Sequence, residues 1–216
     1  MTALKLIQHI DDVNFLSFAA GRLLASPSDP ASAAFGPSDY DLNPDIRPPT
    51  HNGLIAAAVL VPIVARPELT VLLTERTAHL SAHAGQIAFP GGKIDPDDDG
   101  PCAAALREAR EEIGLDARFV VPLGYLEPYL TGTGYLITPV VARVEPSFSL
   151  TPDPAEVEDV FEVPLAFLMN DANHTIDSRE WQGGARRFYA MPYEQRYIWG
   201  ATAGIIRALY RRLSSA

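Results

Sequence analysis

The sequence predicts an α+β or α/β fold, a mixed β-sheet sandwiched between helices, with a helical appendage at its N-terminus. Apolar runs of strand length recur at 54–64, 70–74, 119–126, 135–144 and 157–163. Only 11–24, 101–113 and 201–213 read as full-length helices. Helices flanking a mixed sheet accommodate this mixture of many strands and few helices.

The first helix is read over 11–24, where Val13, Phe15, Leu16, Phe18, Ala19, Leu23 and Leu24 recur at helical spacing and Asp11 or Asp12 is available as N-cap. Residues 25–50 hold Pro27, Pro30, Pro37, Pro44, Pro48 and Pro49 among Ser, Ala and Asp, the composition of an irregular arm. Residues 1–50 are therefore expected to append to a core domain at 51–216. The continuous apolar run at 54–64 reads as a buried strand, and Arg66-Pro67-Glu68 turns it into a second strand at 70–74, making a hairpin. Gln86 to Phe89 is a short extended piece ending in Pro90-Gly91-Gly92, and Asp95 to Gly100 is an acidic loop. Pro101 opens a helix at a position where a missing N–H costs nothing, and Gly114 closes it in a left-handed cap. Beyond the later strands come a short helical run at Leu165–Met169, a hairpin across Trp181-Gln182-Gly183-Gly184, and an amphipathic helix over Ala201–Leu213.

The formal net charge of −10 gives no basic footprint for general nucleic-acid or anionic-membrane binding. A polyanionic small molecule would have to be received by local Arg, Lys and backbone N–H groups and by a divalent cation. The single Cys102, set beside three alanines, reads as a small helix residue. Met1 to Ile10 lack a basic stretch followed by an apolar one, and no run approaches the ~20 apolar residues of a membrane span. The expectation is a cytoplasmic protein without membrane contact.

The decisive stretch is Gly91-Gly92-Lys93-Ile94-Asp95, eleven residues, then Arg107-Glu108-Ala109-Arg110-Glu111-Glu112-Ile113-Gly114-Leu115. On a helix, Glu108, Glu111 and Glu112 stand at i, i+3 and i+4, so their carboxylates share one face. Glu-rich faces are usually solvated surface. Drawn together, though, such oxygens suit a hard cation such as Mg²⁺ or Mn²⁺, and the glycine pair lets backbone carbonyls approach it. Arg107 is placed to pin one of the carboxylates.

This stretch resembles the Nudix box, G-x5-E-x7-R-E-U-x-E-E-x-G-U with U aliphatic, and its distal half fits residue for residue from Arg107 to Leu115. After five intervening residues from Gly92 stands Asp98 rather than Glu, with eight residues instead of seven before Arg107, so Asp98 or Asp99 takes the loop acid's place. Upstream, Leu72-Leu73-Thr74-Glu75-Arg76 and His83-Ala84-Gly85-Gln86-Ile87-Ala88-Phe89-Pro90-Gly91-Gly92 resemble the added signature of the coenzyme A pyrophosphatase branch, with Thr77 for Ser or Ala and Ser81 for Arg. Segments 153–165 and 198–202 resemble the later parts of that branch.

The resemblance implies a Nudix fold and a metal-dependent pyrophosphohydrolase acting on a nucleoside-diphosphate derivative, with coenzyme A or an acyl-CoA yielding 3′,5′-ADP and (acyl-)4′-phosphopantetheine. It implies Glu108, Glu111, Glu112 and Gly92 as metal ligands, Glu108, Glu111 and Arg107 in catalysis, and Arg76, His83, Gln86 and Lys93 toward substrate. Glu156, Glu158 and Asp159 are candidates for an additional acid, against the plainer reading of a solvated turn. Phe188, Tyr189, Tyr193, Tyr197 and Trp199 could stack a base, although strand aromatics are more often core. Two alternatives stand beside coenzyme A: ADP-ribose or a dinucleotide as substrate, and a Nudix-fold module that senses a nucleotide without cutting it. A homodimer is the expected assembly.

Overall fold

The computed structural model describes residues 10, 12–29, 36–48, 53–78, 85–181 and 184–215. In chain order it contains helix α1 (Asp12–Ala20), strands β1 (Ile55–Val64), β2 (Thr70–Arg76), β3 (Ile87–Ala88) and β4 (Gly91–Lys93), and helix α2 (Gly100–Ile113). Strands β5 (Val120–Tyr125), β6 (Tyr129–Leu130), β7 (Tyr135–Val144) and β8 (Val157–Pro164) and the single turn α3 (Leu165–Leu168) follow. The chain ends with β9 (Thr175–Trp181), β10 (Gly184–Tyr193), β11 (Arg196–Trp199) and helix α4 (Gly200–Ser214).

The apolar run of β1 makes it the centre of the main sheet. Ala58, Leu60 and Val64 face α2, in a core with Ala104, Ala105, Ala109 and Ile113. Val61 and Ile63 face the opposite layer, with Ile205, Ile206, Leu209 and Leu213 of α4. Burial on both faces is what an unbroken apolar strand requires. β1 pairs in parallel with β7 from Ile55↔Tyr135 to Val64↔Val144. Parallel neighbours need a long crossover, and this one carries α2 onto the sheet. The expected sandwich of a mixed sheet between helices is the architecture observed.

Three elements depart from the sequence reading. The β1–β2 hairpin pairs only Ile63↔Val71 and Val64↔Thr70 before the strands separate. β4, not read as a strand and lying just past the short extended piece at Gln86–Phe89, fills the gap by pairing Ala57–Val59 with Lys93–Gly91. A Cβ at Gly91 would lie 2.4 Å from the Ala58 carbonyl oxygen, so only glycine permits that approach. The first helix stops at Ala20 rather than 24, because Leu24 exchanges backbone hydrogen bonds with Tyr125 (3.0 and 2.9 Å) on the edge of β5. A second sheet, β9–β10–β11, extends the expected hairpin, whose Gly184↔Trp181 pair it contains.

The N-terminal segment is fastened to the core. Phe15 and Ala19 are fully buried in the α4-side cluster, and Asp12 accepts two hydrogen bonds from Arg143 (2.6 and 2.5 Å). In the arm, the Asn43 carboxamide brackets the backbone of Arg187 (2.8 and 2.9 Å), and Asp39 accepts from Tyr129 Oη and the Gly132 N–H, both at 2.8 Å. Among the described residues, no helix is long and apolar enough to cross a membrane.

Phe15→Ala leaves a large cavity beneath α1 in the α4-side cluster and is expected to cost about 3–5 kcal/mol. Urea denaturation should show this as one shifted transition, whereas a separate early transition would mean that α1 unfolds apart from the core.

Candidate active site

Helix α2 is set by both of its ends. Proline occupies its first turn, and Gly114 at φ 70° closes it with N–H bonds from Gly114 to the Arg110 carbonyl (3.0 Å) and from Leu115 to that of Ala109 (3.2 Å). Its alanine face lies on β1, which turns Arg107, Glu108 and Glu112 toward β4 and the end of β2.

Arg107 is the hub. Its Nε and Nη2 bond both oxygens of Asp98 (3.1 and 2.9 Å), Nη1 bonds Glu108 (2.9 Å) and Glu111 (3.0 Å), and Nη2 also reaches the Lys93 carbonyl (3.0 Å). Asp98 is thereby the acid that the longer loop delivers, and its carboxyl is held below the usual range by Arg107 and the Asp95 N–H. Asp99 occupies the helix N-cap position without a capping side-chain bond.

Glu112 is 5% exposed, accepts from the Gly91 N–H (3.1 Å), and pairs with Arg76 (3.4 Å). Burial outweighs both partners and pushes its carboxyl up to about 7. Burial also raises Glu108. Glu156 adds to the rise at both acids, which places its carboxylate in their field. Gly92 lies hard against Glu108: a Cβ there would be 2.4 Å from Oε1.

The structure thus gathers Arg76, Gly92, Arg107, Glu108 and Glu112, with Glu156 close enough for its charge to be felt at both glutamates and exposed Glu111 at the rim. Lys93 enters through its carbonyl, and Gln86 through its carbonyl, which accepts from Arg76 N (3.0 Å). Glu158 is exposed on β8. Asp159 belongs to the other face, where it pairs with Arg196 beside Phe161. Phe188 and Trp199 pack on each other at 5.0 Å. His83 and Ser81 lie outside the described residues.

The helix acids share a face but do not converge. Among the described residues no group of three or more His, Cys, Asp or Glu is gathered to hold a metal ion. The partners give the physical reason: Arg107 bridges Glu108, Glu111 and Asp98, while Arg76 and the Gly91 N–H hold Glu112 separately. The residues nevertheless fit a hard dication. They supply carboxylate oxygens, one of them desolvated at Glu112, and a side-chain-free approach at Gly92.

The family profile described as the NUDIX domain matches residues 54–182, more than half of the chain. The chain belongs to the Nudix family. An "uncharacterized Nudix hydrolase NudL" of Photorhabdus laumondii is 45% identical over 157 residues, covering 73% of this chain and 84% of the relative. Its namesake in Yersinia pestis is 45% identical over 159 residues, covering 73% and 79%. Among solved structures, the Nudix domain of Shewanella oneidensis NrtR complexed with ADP-ribose is 19% identical, with a TM-score of 0.47 over 75% of this chain and 90% of that domain. That likeness is too distant to carry an argument about ligands. As a Nudix hydrolase, the chain is a pyrophosphohydrolase of nucleoside-diphosphate derivatives, in a family that generally needs divalent cations.

Gly92→Ala should displace the mobile end of Glu108 rather than backbone, so the melting temperature is expected to change little. Divalent-cation affinity should fall about ten- to a hundredfold; titration calorimetry showing unchanged affinity would separate Gly92 from the cation site.

Glu112 also links pH to stability. Its folded value of about 7 lies above the unfolded 4.5, so its contribution is fully present below pH 4.5 and lost as pH rises through 7. The shift corresponds to on the order of 3 kcal/mol. Metal-free protein should therefore lose this increment between pH 4.5 and 8 in chemical denaturation, and Glu112→Gln should remove that part of the slope.

Proposed function

We propose that this Nudix hydrolase cleaves coenzyme A or an acyl-CoA to 3′,5′-ADP and (acyl-)4′-phosphopantetheine, with Mg²⁺ or Mn²⁺ held by Glu108, Glu111, Glu112 and the backbone at Gly92. The observation that carries the hydrolytic reading is Glu112, an acid 5% exposed yet set beside Glu108, Gly91 and Arg76. A desolvated carboxylate in such company is what a cation site needs and a solvated helix face does not. The coenzyme A reading rests on the signature from Leu72 to Gly92 and on the lengthened loop that presents Asp98.

When bound, the cation offsets the charge of the diphosphate and acidifies a water molecule. The protein's own groups do the rest. Water oxygen attacks one phosphorus, the bridging P–O bond breaks, and the water's proton passes to a carboxylate oxygen. Of the three later acids, Glu156 supports that role best: its charge is felt at Glu108 and Glu112, and no arginine pairs with it among the described residues. Arg76, at the end of β2, stands where a guanidinium can bond a phosphate oxygen. Arg107 orients Glu108 and Glu111.

ADP-ribose or a dinucleotide is the second reading, favoured by Ser81 at the position where the branch carries Arg. A non-cleaving sensor is disfavoured by the intact Arg107, Glu108, Glu111 and Glu112 set.

The test is turnover of coenzyme A, ADP-ribose and a dinucleotide with Mg²⁺ or Mn²⁺ and with chelator, identifying products by mass. We expect 3′,5′-ADP from coenzyme A, activity only with cation, and a loss of roughly a hundredfold or more in Glu112→Gln while it stays folded. Efficient cleavage of ADP-ribose with coenzyme A left intact would move the substrate assignment to the second reading.

A further inference from the structure

β9 ends the three-stranded sheet, and among the described residues no strand pairs with its outer side. Its register on β10 sets Ser178 opposite Arg187 and Arg179 opposite Arg186. Both backbone groups of Arg187 are taken by the Asn43 carboxamide (2.8 and 2.9 Å) rather than by β9. The Ser178–Arg187 pair is therefore of the non-hydrogen-bonded kind, and the Ser178 backbone points away from β10. The alternation of a strand turns the backbones of Ile176 and Glu180 outward with it. The Ser178 N–H bonds its own neighbour, Asp177 Oδ1 (2.7 Å). An edge of this kind is a template for a further strand, and charged side chains usually guard against one. On β9 the charges select one.

We propose that β9 pairs antiparallel with β9 of a second copy of this chain, about a two-fold axis at Ser178. Ser178 is the middle residue of Thr175–Trp181, so this register alone pairs the whole strand. It also matches outward backbone groups with outward ones, Ser178 with the partner's Ser178 and Ile176 with the partner's Glu180. Charge separates it from its neighbours. Centred on Asp177 or on Arg179, the strands would set that residue against its own copy, like charge on like. Centred on Ser178, they set Asp177 against the partner's Arg179 and, by symmetry, Arg179 against the partner's Asp177. These are non-hydrogen-bonded pairs, in which facing side chains come closest. Arg179 suits the contact: it stands opposite Arg186 in its own hairpin, forms no ion pair among the described residues, and lies 4.3 Å over the Trp199 ring. Asp177 is held by Tyr197 Oη (2.6 Å), and when the Ser178 N–H passes to the carbonyl of the partner's Ser178, Asp177 Oδ1 is released to the incoming guanidinium. On the other face Ile176, 57% exposed, meets the apolar stem of the partner's Glu180.

Sedimentation equilibrium of the full chain tests this with wild type, Asp177→Arg, Arg179→Asp, the two changes in one chain, and an equimolar mixture of the two single variants. We expect the wild type to dimerise. Each single variant makes both facing pairs like-charged, and its dissociation constant should rise roughly tenfold or more. The double variant should recover association, because it exchanges the two charges. The mixture should recover it as heterodimer, because one chain then offers two arginines to the two aspartates of the other. Melting temperatures verify that the variants fold. Where a single variant does not, cross-linking takes its place. In a Cys102→Ala background, mild oxidation should join Ser178→Cys chains into disulfide dimers, since the paired Cα atoms lie about 5.5 Å apart across the axis. Ile176→Cys chains should stay separate, being displaced along the strands. The proposal fails if the wild type is monomeric or if the single variants associate as the wild type does. It fails equally if neither the double variant nor the mixture recovers, or if cross-linking is as efficient from Ile176→Cys as from Ser178→Cys.

Discussion

Four carboxylates, those of Asp98, Glu108, Glu111 and Glu112, crowd one helical turn and the loop before it, and their mutual repulsion is the constraint to which this site is built. Two unit charges 4 Å apart cost about 4 kcal/mol at the effective dielectric of a protein surface, so uncompensated acids would drive α2 from the sheet. Arg107 answers three of them at once, with a two-pronged bond to Asp98 and one hydrogen to each of Glu108 and Glu111. Arg76 and the Gly91 N–H answer the fourth. Each of those partners depends on close packing elsewhere. Gly91 reaches Glu112 only because β4 can press against β1, and α2 approaches the sheet because Ala104, Ala105 and Ala109 carry almost no side chain.

Much of this was legible in the sequence wherever a physical requirement leaves a pattern. The proline at the start of α2 and Gly114 at its end mark the helix to within a residue, and the unbroken apolar runs of β1 and β7 mark strands covered on both sides. What they cannot tell is that the two strands pair in parallel, since that depends on the crossover between them and not on either run. The second sheet left a fainter trace. In β9, Thr175-Ile176-Asp177-Ser178-Arg179-Glu180-Trp181, the described side chains from Thr175 to Glu180 are exposed, so neither alternating set had to be apolar.

The acids show the same division. The count from Gly92 favours Asp98 and the count back from Arg107 favours Asp99, and the reach of Arg107 is what distinguishes them. Glu156 and Asp159 are near neighbours in sequence, yet Glu156 ends the loop before β8 and acts on Glu108 and Glu112, whereas the register shift opposite Glu75 and Arg76 leaves Asp159 beside Glu75, where it pairs with Arg196. No one-dimensional spacing rule contains that bulge.

The arginines of the site carry a consequence for the order of events. In a chain of net charge −10, Arg76 and Arg107 are each already engaged by carboxylates, so neither offers an unneutralised positive charge to a diphosphate. On the proposed function, a dication held by Glu108, Glu111 and Glu112 would compete with those guanidiniums for the same lone pairs. Each hydrogen bond displaced would return an N–H donor to Arg76 or Arg107. Binding of cation and diphosphate would then be coupled through the arginines, since by linkage a diphosphate engaging Arg76 would weaken that residue's hold on Glu112 and favour the cation in turn. An acidic protein would in this way receive a polyanion without a standing basic patch.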